Sequence, residues 1–284
     1  MFGQHLDWNF SAQKRRDRTH NKAMIIDAHT HVGPFIEEKR IKPESISINY
    51  DRWEEILDQN DIDKAVIMPT TGYDTSEGIN STKKLNNKVQ SLVREYERFT
   101  TGIGTVEPSH QRRALGEIER LGSMENISGV MWHHRHQGSS IDDPTTTECL
   151  SKIKELDLVA YIHSFPESQL ENLGKIEKIA PITDAPIIVL DALGLYSNIE
   201  TAIDLADEYD NIYFDTALLF SLGRIVERMV DEVGAERLIF GSDLYTNPLM
   251  YRHSPDLYQV QKAKITEIEK KKILSENIRK ILGL

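Results

Sequence analysis

His29 and His31 stand one residue apart at the end of the run Ala23-Met24-Ile25-Ile26-Asp27-Ala28-His29-Thr30-His31-Val32-Gly33. In a strand, residues i and i+2 project to the same side, so both imidazoles can reach one cation. An isolated His-x-His is also compatible with two hydrogen-bonded interior or surface histidines. Two further residues close short apolar runs, His163 in Tyr161-Ile162-His163-Ser164 and Asp243 in Phe240-Gly241-Ser242-Asp243. Three imidazole nitrogens and one carboxylate form a donor set for a single divalent ion of the zinc or manganese type, with a position left for water or substrate. Singly, His163 can be a hydrogen-bonded core residue and Asp243 a helix cap. Jointly, at one mouth, such groups would repel or stay unpaired without a cation.

The elements that must position them are eight short apolar runs: Met24 to Val32, Lys64 to Met68, Thr101 to Val106, Ser128 to His133, Val159 to His163, Pro186 to Leu190, Asn211 to Asp215 and Arg237 to Phe240. Helical spacing separates them, as in Asn87 to Tyr96, Arg112 to Leu121, Thr146 to Leu156, Ser168 to Ile179, Ile199 to Tyr209 and Leu222 to Val233. Strands alternating with helices predict right-handed βαβ units and a parallel sheet. Eight units predict a (β/α)₈ TIM barrel of the α/β class. An open doubly wound sheet is the fold alternative, but no Gly-x-Gly-x-x-Gly turn follows the first strand. The expected organisation is a polar N-terminal arm over residues 1–22 and one barrel over 23–284. A C-terminal helix is expected on the barrel exterior through Ile265, Ile268, Ile273, Leu274, Ile278, Ile281 and Leu282.

A barrel of this type works at the C-terminal ends of its strands. Strand four ends there in Trp132-His133-His134-Arg135-His136, and strand six in Asp191-Ala192-Leu193-Gly194. Arg135 suits a substrate carboxylate or phosphate through a bidentate fork, and His133 or His134 can donate to developing negative charge. His136 reads as a solvated loop residue. Asp215, after strand seven, suits orientation of a ligand histidine more than catalysis. The polar segment Gly33 to Asn49 has the length of a lid, with Tyr245, Asn247 and Pro248 as the opposite wall.

From about Met24 onward the chain resembles the metal-dependent amidohydrolase superfamily, in the branch called the amidohydrolase 2 family, which includes hydrolases and non-oxidative decarboxylases. Asp27-Ala28-His29-Thr30-His31, Gly129-Val130, Ile141-Asp142-Asp143-Pro144 leading to His163, Phe240-Gly241-Ser242-Asp243 and the closing Glu276-Asn277-Ile278-Arg279 carry that resemblance. It implies His29, His31, His163 and Asp243 as metal ligands. No lysine lies between Gly129 and Gly138, where other branches carry a bridging one, so one metal is expected rather than two. The departure is strand six, where the family's histidine is replaced by Asp191. Asp191 reads as a general base, an added ligand or a turn-forming aspartate.

These features lead to an expected metal-dependent hydrolase that directs a metal-activated water at a small polar, anionic molecule, with Asp191 and Asp243 as catalytic groups and zinc as the first choice of metal. A non-oxidative decarboxylase of a carboxylated aromatic on the same site is the alternative within enzymes. A barrel that binds without turnover is the alternative outside them.

Composition agrees with a cytoplasmic protein that meets small molecules. The 34 basic and 45 acidic residues give a net charge of −11, which disfavours nucleic acid as a partner. The chain has 39% hydrophobic residues, no apolar run of spanning length and no signal-like segment, so no membrane partner is expected. Cys149 is the single cysteine, which excludes an intramolecular disulfide and a thiolate cluster. A homo-oligomer is compatible with the basic leader Lys14-Arg15-Arg16-Asp17-Arg18 as a contact arm.

Overall fold

The computed structural model describes residues 23–34, 50–70, 77–219, 223–247 and 254–284. The expected arm over 1–22, most of the expected lid and Pro248 lie outside the described residues.

Near-continuous apolar runs, rather than alternating ones, suit strands whose two faces are both covered. The described strands are β1 (Ile26–Pro34), β2 (Lys64–Pro69), β3 (Phe99–Thr105), β4 (Ile127–Trp132), β5 (Val159–His163), β6 (Ile187–Leu190), β7 (Ile212–Asp215), β8 (Leu238–Ile239) and β9 (Leu244–Asn247). They pair in parallel in the order β8-β7-β6-β5-β4-β3-β2-β1-β9. The sheet curls so that its ends meet at β1. Ala28 N donates to Phe240 O and Asp243 N to His29 O, both at 2.9 Å, so the chain leaving β8 runs along β1 before β9 pairs with it. This is a TIM barrel. Helices such as Ile79–Glu95, Arg112–Gly122, Pro144–Glu155 and Ile199–Glu208 cover the outside and bury Leu85, Val89, Ile118, Leu150 and Leu205 against the strands.

Three expectations change. The eighth strand is shorter than expected, Leu238–Ile239, and an unexpected ninth, Leu244–Asn247, follows it; between them Asp243 has φ 52°, a left-handed backbone that interrupts regular pairing. The run Ser168 to Ile179 is not one helix. Ser168 Oγ accepts from Leu170 N at 3.3 Å and Asn172 Oδ1 from Gly174 N at 3.0 Å, so side chains take backbone donors a helix would need. A helix forms only over Ile176–Ile179, after a 3₁₀ turn at Leu173–Lys175. Strand four stops at Trp132, and His134–Gln137 forms a helical turn closed by Gly138 at φ 66°.

The C-terminal helix packs on the barrel as expected, in pieces: Glu267–Lys271, a π turn over Lys272–Glu276, and Asn277–Leu282. Thr266 and Glu269 cap its start reciprocally. Ile273, Leu274 and Ile278 are buried, whereas Ile268 is 69% exposed and leaves the predicted apolar stripe. Phe240 N donates to Ile273 O at 2.9 Å, and Asn277 Nδ2 donates to Ala235 O and Leu238 O, so this helix holds the β8 end of the ring.

Candidate active site

Alternation along β1 sends Asp27, His29 and His31 to one side. Asp27 is buried and welds β1 to the last strand connection. Oδ1 accepts from His29 N at 3.1 Å and from Ser242 N at 3.0 Å, and Oδ2 accepts a short bond from Ser242 Oγ. Burial raises Asp27 to about 7, against those bonds.

Each of the three histidines is oriented through Nδ1. His31 Nδ1 donates to Pro69 O at 3.0 Å and His163 Nδ1 to Trp132 O at 2.9 Å. A carbonyl only accepts, so these rings carry their proton on Nδ1 and present a bare Nε2. His29 Nδ1 lies 2.6 Å from Asp215 Oδ2, the carboxylate–histidine arrangement common behind metal ligands. The free nitrogens then converge. His29 Nε2 and His31 Nε2 are 3.0 Å apart, and the His163 ring centroid is 5.3 and 5.5 Å from those of His29 and His31. Two lone pairs that close repel unless a cation lies between them.

Two carboxylates complete the cluster. Asp243 Oδ1 is 3.6 Å from His29 Nε2 and 3.4 Å from His31 Nε2. Asp191 is 4.0 Å from His29 Nδ1 and from His163 Nε2, and its buried Oδ1 has no hydrogen-bond partner among the described residues. Both have positive φ, 64° at Asp191 and 52° at Asp243, a conformation that aspartate tolerates better than most residues. Donor atoms of His29, His31 and His163, and of His29, Asp191 and Asp243, lie within 4.8 Å of one another. The fit to one divalent ion therefore includes Asp191, a donor beyond the four expected ligands.

The electrostatics have the same sense. Burial holds His29 near 3 and keeps His31 and His163 well below the usual histidine range, so the rings are neutral donors. Burial and then neighbouring carboxylates push Asp191 and Asp243 well above the usual aspartate range. A bound cation reverses the penalty on both carboxylates.

At the end of β4 the expected substrate-facing residues separate. The His133 ring stacks on that of His163, with centroids 4.3 Å apart and 10° between planes. His134 turns instead to Ser139 Oγ at 3.0 Å and stacks on Trp132, with Asp142 and Lys175 as its charged neighbours. A helical turn rather than extended strand follows Trp132, and it sends consecutive residues to different sides. Arg135 lies over Phe165, 3.8 Å from the ring centroid, and His136 meets His133 edge-on. Tyr245 stacks on His31, with ring centroids 4.8 Å apart.

Sequence reasoning missed Glu171. It is fully buried, and its Oε1 lies 2.6 Å from His133 Nδ1. Burial raises it to about 7. It occupies no motif, and the predicted helix over Ser168 to Ile179 concealed it. The bonding role of Asp27 was also hidden, although it belongs to the quoted motif.

Solved structures similar to this one include 5-carboxyvanillate decarboxylase from Sphingomonas paucimobilis, with TM-score 0.72, 15% identity, and coverage of 93% of this chain and 100% of that one. A 2,6-dihydroxybenzoate decarboxylase from Rhizobium gives 0.68 at 14% identity, covering 92% and 99%. A dihydroxybenzoic acid decarboxylase from a Polaromonas species, with bound manganese and the inhibitor 2-nitroresorcinol, gives 0.70 at 16% identity, covering 93% and 98%. Identities this low establish the shared fold. No curated protein matches the sequence. The family profile described as Amidohydrolase matches residues 26–284, and the chain belongs to that family.

Proposed function

We propose that this chain is a metal-dependent enzyme acting on a small carboxylated molecule, with non-oxidative decarboxylation as its reaction class. The observation that carries the metal is the convergence of three neutral imidazoles, two of them 3.0 Å apart, beside two buried carboxylates. His29, His31, His163 and Asp243 would hold one divalent ion, with Asp191 as a further donor beside them. Zinc suits the nitrogen-rich set, and manganese, present in the Polaromonas structure, suits the carboxylates. When bound, the ion supplies Lewis acidity toward a substrate oxygen.

The structural likeness to three decarboxylases supports this reaction class. Arg135 would hold the substrate's anionic group, and His133 would lie beside it over His163. Hydrolysis is the second reading, and one observation favours it. Asp191 Oδ1 is buried at the cluster without a hydrogen-bond partner among the described residues, where a carboxylate can accept a proton from an attacking water.

Metal analysis of purified protein, followed by a panel of hydroxylated aromatic carboxylates and of esters and lactones, tests both readings. About one divalent ion per chain with carbon dioxide release from an aromatic acid is the expected result. Hydrolysis of esters or lactones without carbon dioxide release selects the second reading. A chain that neither contains nor takes up a divalent ion overturns both.

A further inference from the structure

His133 has surroundings that a metal position alone does not require. Its ring lies between the nearly parallel rings of His163 and Phe165, 4.3 and 5.5 Å away by centroids. Nδ1 faces Glu171 Oε1 at 2.6 Å, and the same oxygen accepts the Arg135 backbone N–H at 3.1 Å. Glu171 Oε2 is 3.5 Å from Arg135 Nε.

Burying a carboxylate is unfavourable unless its partners compensate. The loop after β5 is folded to place this one. Glu171 O accepts from Phe165 N at 3.1 Å and from Ser164 Oγ at 3.0 Å, and Glu171 N donates to Ser168 O at 3.2 Å. A loop anchor would need only the Arg135 backbone bond. The bond to His133 does more, because it fixes which ring nitrogen carries the proton.

The atoms left over are complementary. With Nδ1–H given to ionised Glu171, neutral His133 presents Nε2 as an acceptor. With Nε beside Glu171 and Cζ over Phe165, Arg135 keeps both Nη groups as a donor fork among the described residues, and the side chain is 34% exposed. Acceptor and fork are tied to one carboxylate, next to His163.

We propose that Glu171 is a positioning residue that holds His133 and Arg135 as one subsite for a hydroxylated carboxylate, whose hydroxyl donates to His133 Nε2 and whose carboxylate meets the Arg135 fork. This deepens the proposed function and rests on it for the location of the reacting centre.

Calorimetric titration at about pH 8, above the value near 7 to which burial raises Glu171, tests it with benzoate and the 2-, 3- and 4-hydroxybenzoates. Wild type should bind at least one hydroxybenzoate about fivefold more tightly than benzoate. Glu171→Leu, which removes the acceptor that both His133 Nδ1–H and the Arg135 backbone N–H use, should bring that ratio to about one, while Arg135→Gln should weaken all four ligands about tenfold. Hydroxybenzoates no tighter than benzoate in wild type, or a ratio kept in Glu171→Leu, overturns the proposal. If Glu171→Leu does not fold, nitrogen-15 NMR of the wild-type His133 ring decides: an Nδ1–H tautomer upholds the proposal and an Nε2–H tautomer overturns it. Titrations with and without manganese separate the two readings. Hydroxybenzoate preference in a chain that binds no metal defeats the metal-dependent function and leaves the subsite standing, and manganese binding without the preference does the reverse.

Discussion

Asp191 N donates to Asp215 Oδ1 at 2.9 Å, while the other oxygen of Asp215 meets His29 Nδ1 at 2.6 Å. One buried carboxylate thus sets the end of β6 and the ring of a candidate ligand on β1 at once. The polar ends of β6 and β1, strands that do not pair with each other, are aligned by a residue of β7 that need not touch metal or substrate. This is why Asp191 can hold a left-handed backbone conformation at the cluster.

Asp215→Asn should therefore weaken metal binding without abolishing the fold. The amide oxygen can still accept from Asp191 N, but the amide nitrogen then faces His29 Nδ1 and favours the opposite tautomer. Loss of such an outer partner typically lowers metal affinity 10- to 100-fold, about 1.4 to 2.7 kcal/mol. Manganese titration by calorimetry reads the change, and an unaltered affinity would show that Asp215 does not orient His29.

Gly241→Ala should damage the same place through volume. An added Cβ would lie 2.8 Å from Asp215 Oδ2 and 2.8 Å from His29 Cβ, between the closing segment and the candidate ligand. Overpacking of this kind costs about 1–3 kcal/mol, and here it also displaces a metal-facing ring. Gly116→Ala is the control, because its Cβ would meet nothing within 4 Å on the helix Arg112–Gly122. That substitution should stabilise by about 0.5–1 kcal/mol. Thermal unfolding of the pair should show shifts of opposite sign.

The histidine pair, His163, Asp243 and Asp191 were legible because each closes an apolar run, and a barrel gathers strand ends at one face. Glu171 was not legible. Its position depends on Ser168 and Asn172 diverting backbone donors, a local competition that apolar spacing does not report. His134 misled for a related reason: a helical turn after Trp132 replaced strand alternation, so neighbouring residues diverged. Ninth-strand pairing depends on a single left-handed residue, Asp243, whose side chain was noticed for its chemistry and whose backbone was not.

Asp256→Asn should change how stability depends on pH. Asp256 Oδ1 accepts from Leu219 N at 2.8 Å, and burial raises the carboxyl to about 7 from 3.8. The raised value means that the folded chain keeps a proton that the unfolded chain has released. Stability from this group is therefore full below about 3.8 and is lost as pH rises toward 7. Asparagine keeps the acceptor and has no such titration. Relative to wild type, the variant should gain stability between about pH 4 and pH 7, by about 4 kcal/mol at the upper end. Urea unfolding at intervals across that range would expose the opposite slope, or none, if the carboxyl is not held protonated.

Removal of divalent metal should loosen the barrel mouth and lower the unfolding temperature. The folded chain gathers donors from β1, β5 and the ends of β6 and β8, whereas the unfolded chain scatters them along the sequence from His29 to Asp243. A ligand that binds only the folded form stabilises by RT ln(1 + [L]/Kd), about 2.7 kcal/mol at a hundredfold excess over Kd. Without the ion, the facing nitrogens of His29 and His31 and the buried carboxylates are left uncompensated. Chelator-treated protein should therefore unfold at lower temperature, and added manganese or zinc should restore the transition in proportion to the logarithm of its concentration. His31→Ala should remove that concentration dependence, because it deletes one converging nitrogen and leaves the Asp27–Ser242 weld intact. A transition that shifts equally with metal in wild type and His31→Ala would place the stabilising ion elsewhere on the chain.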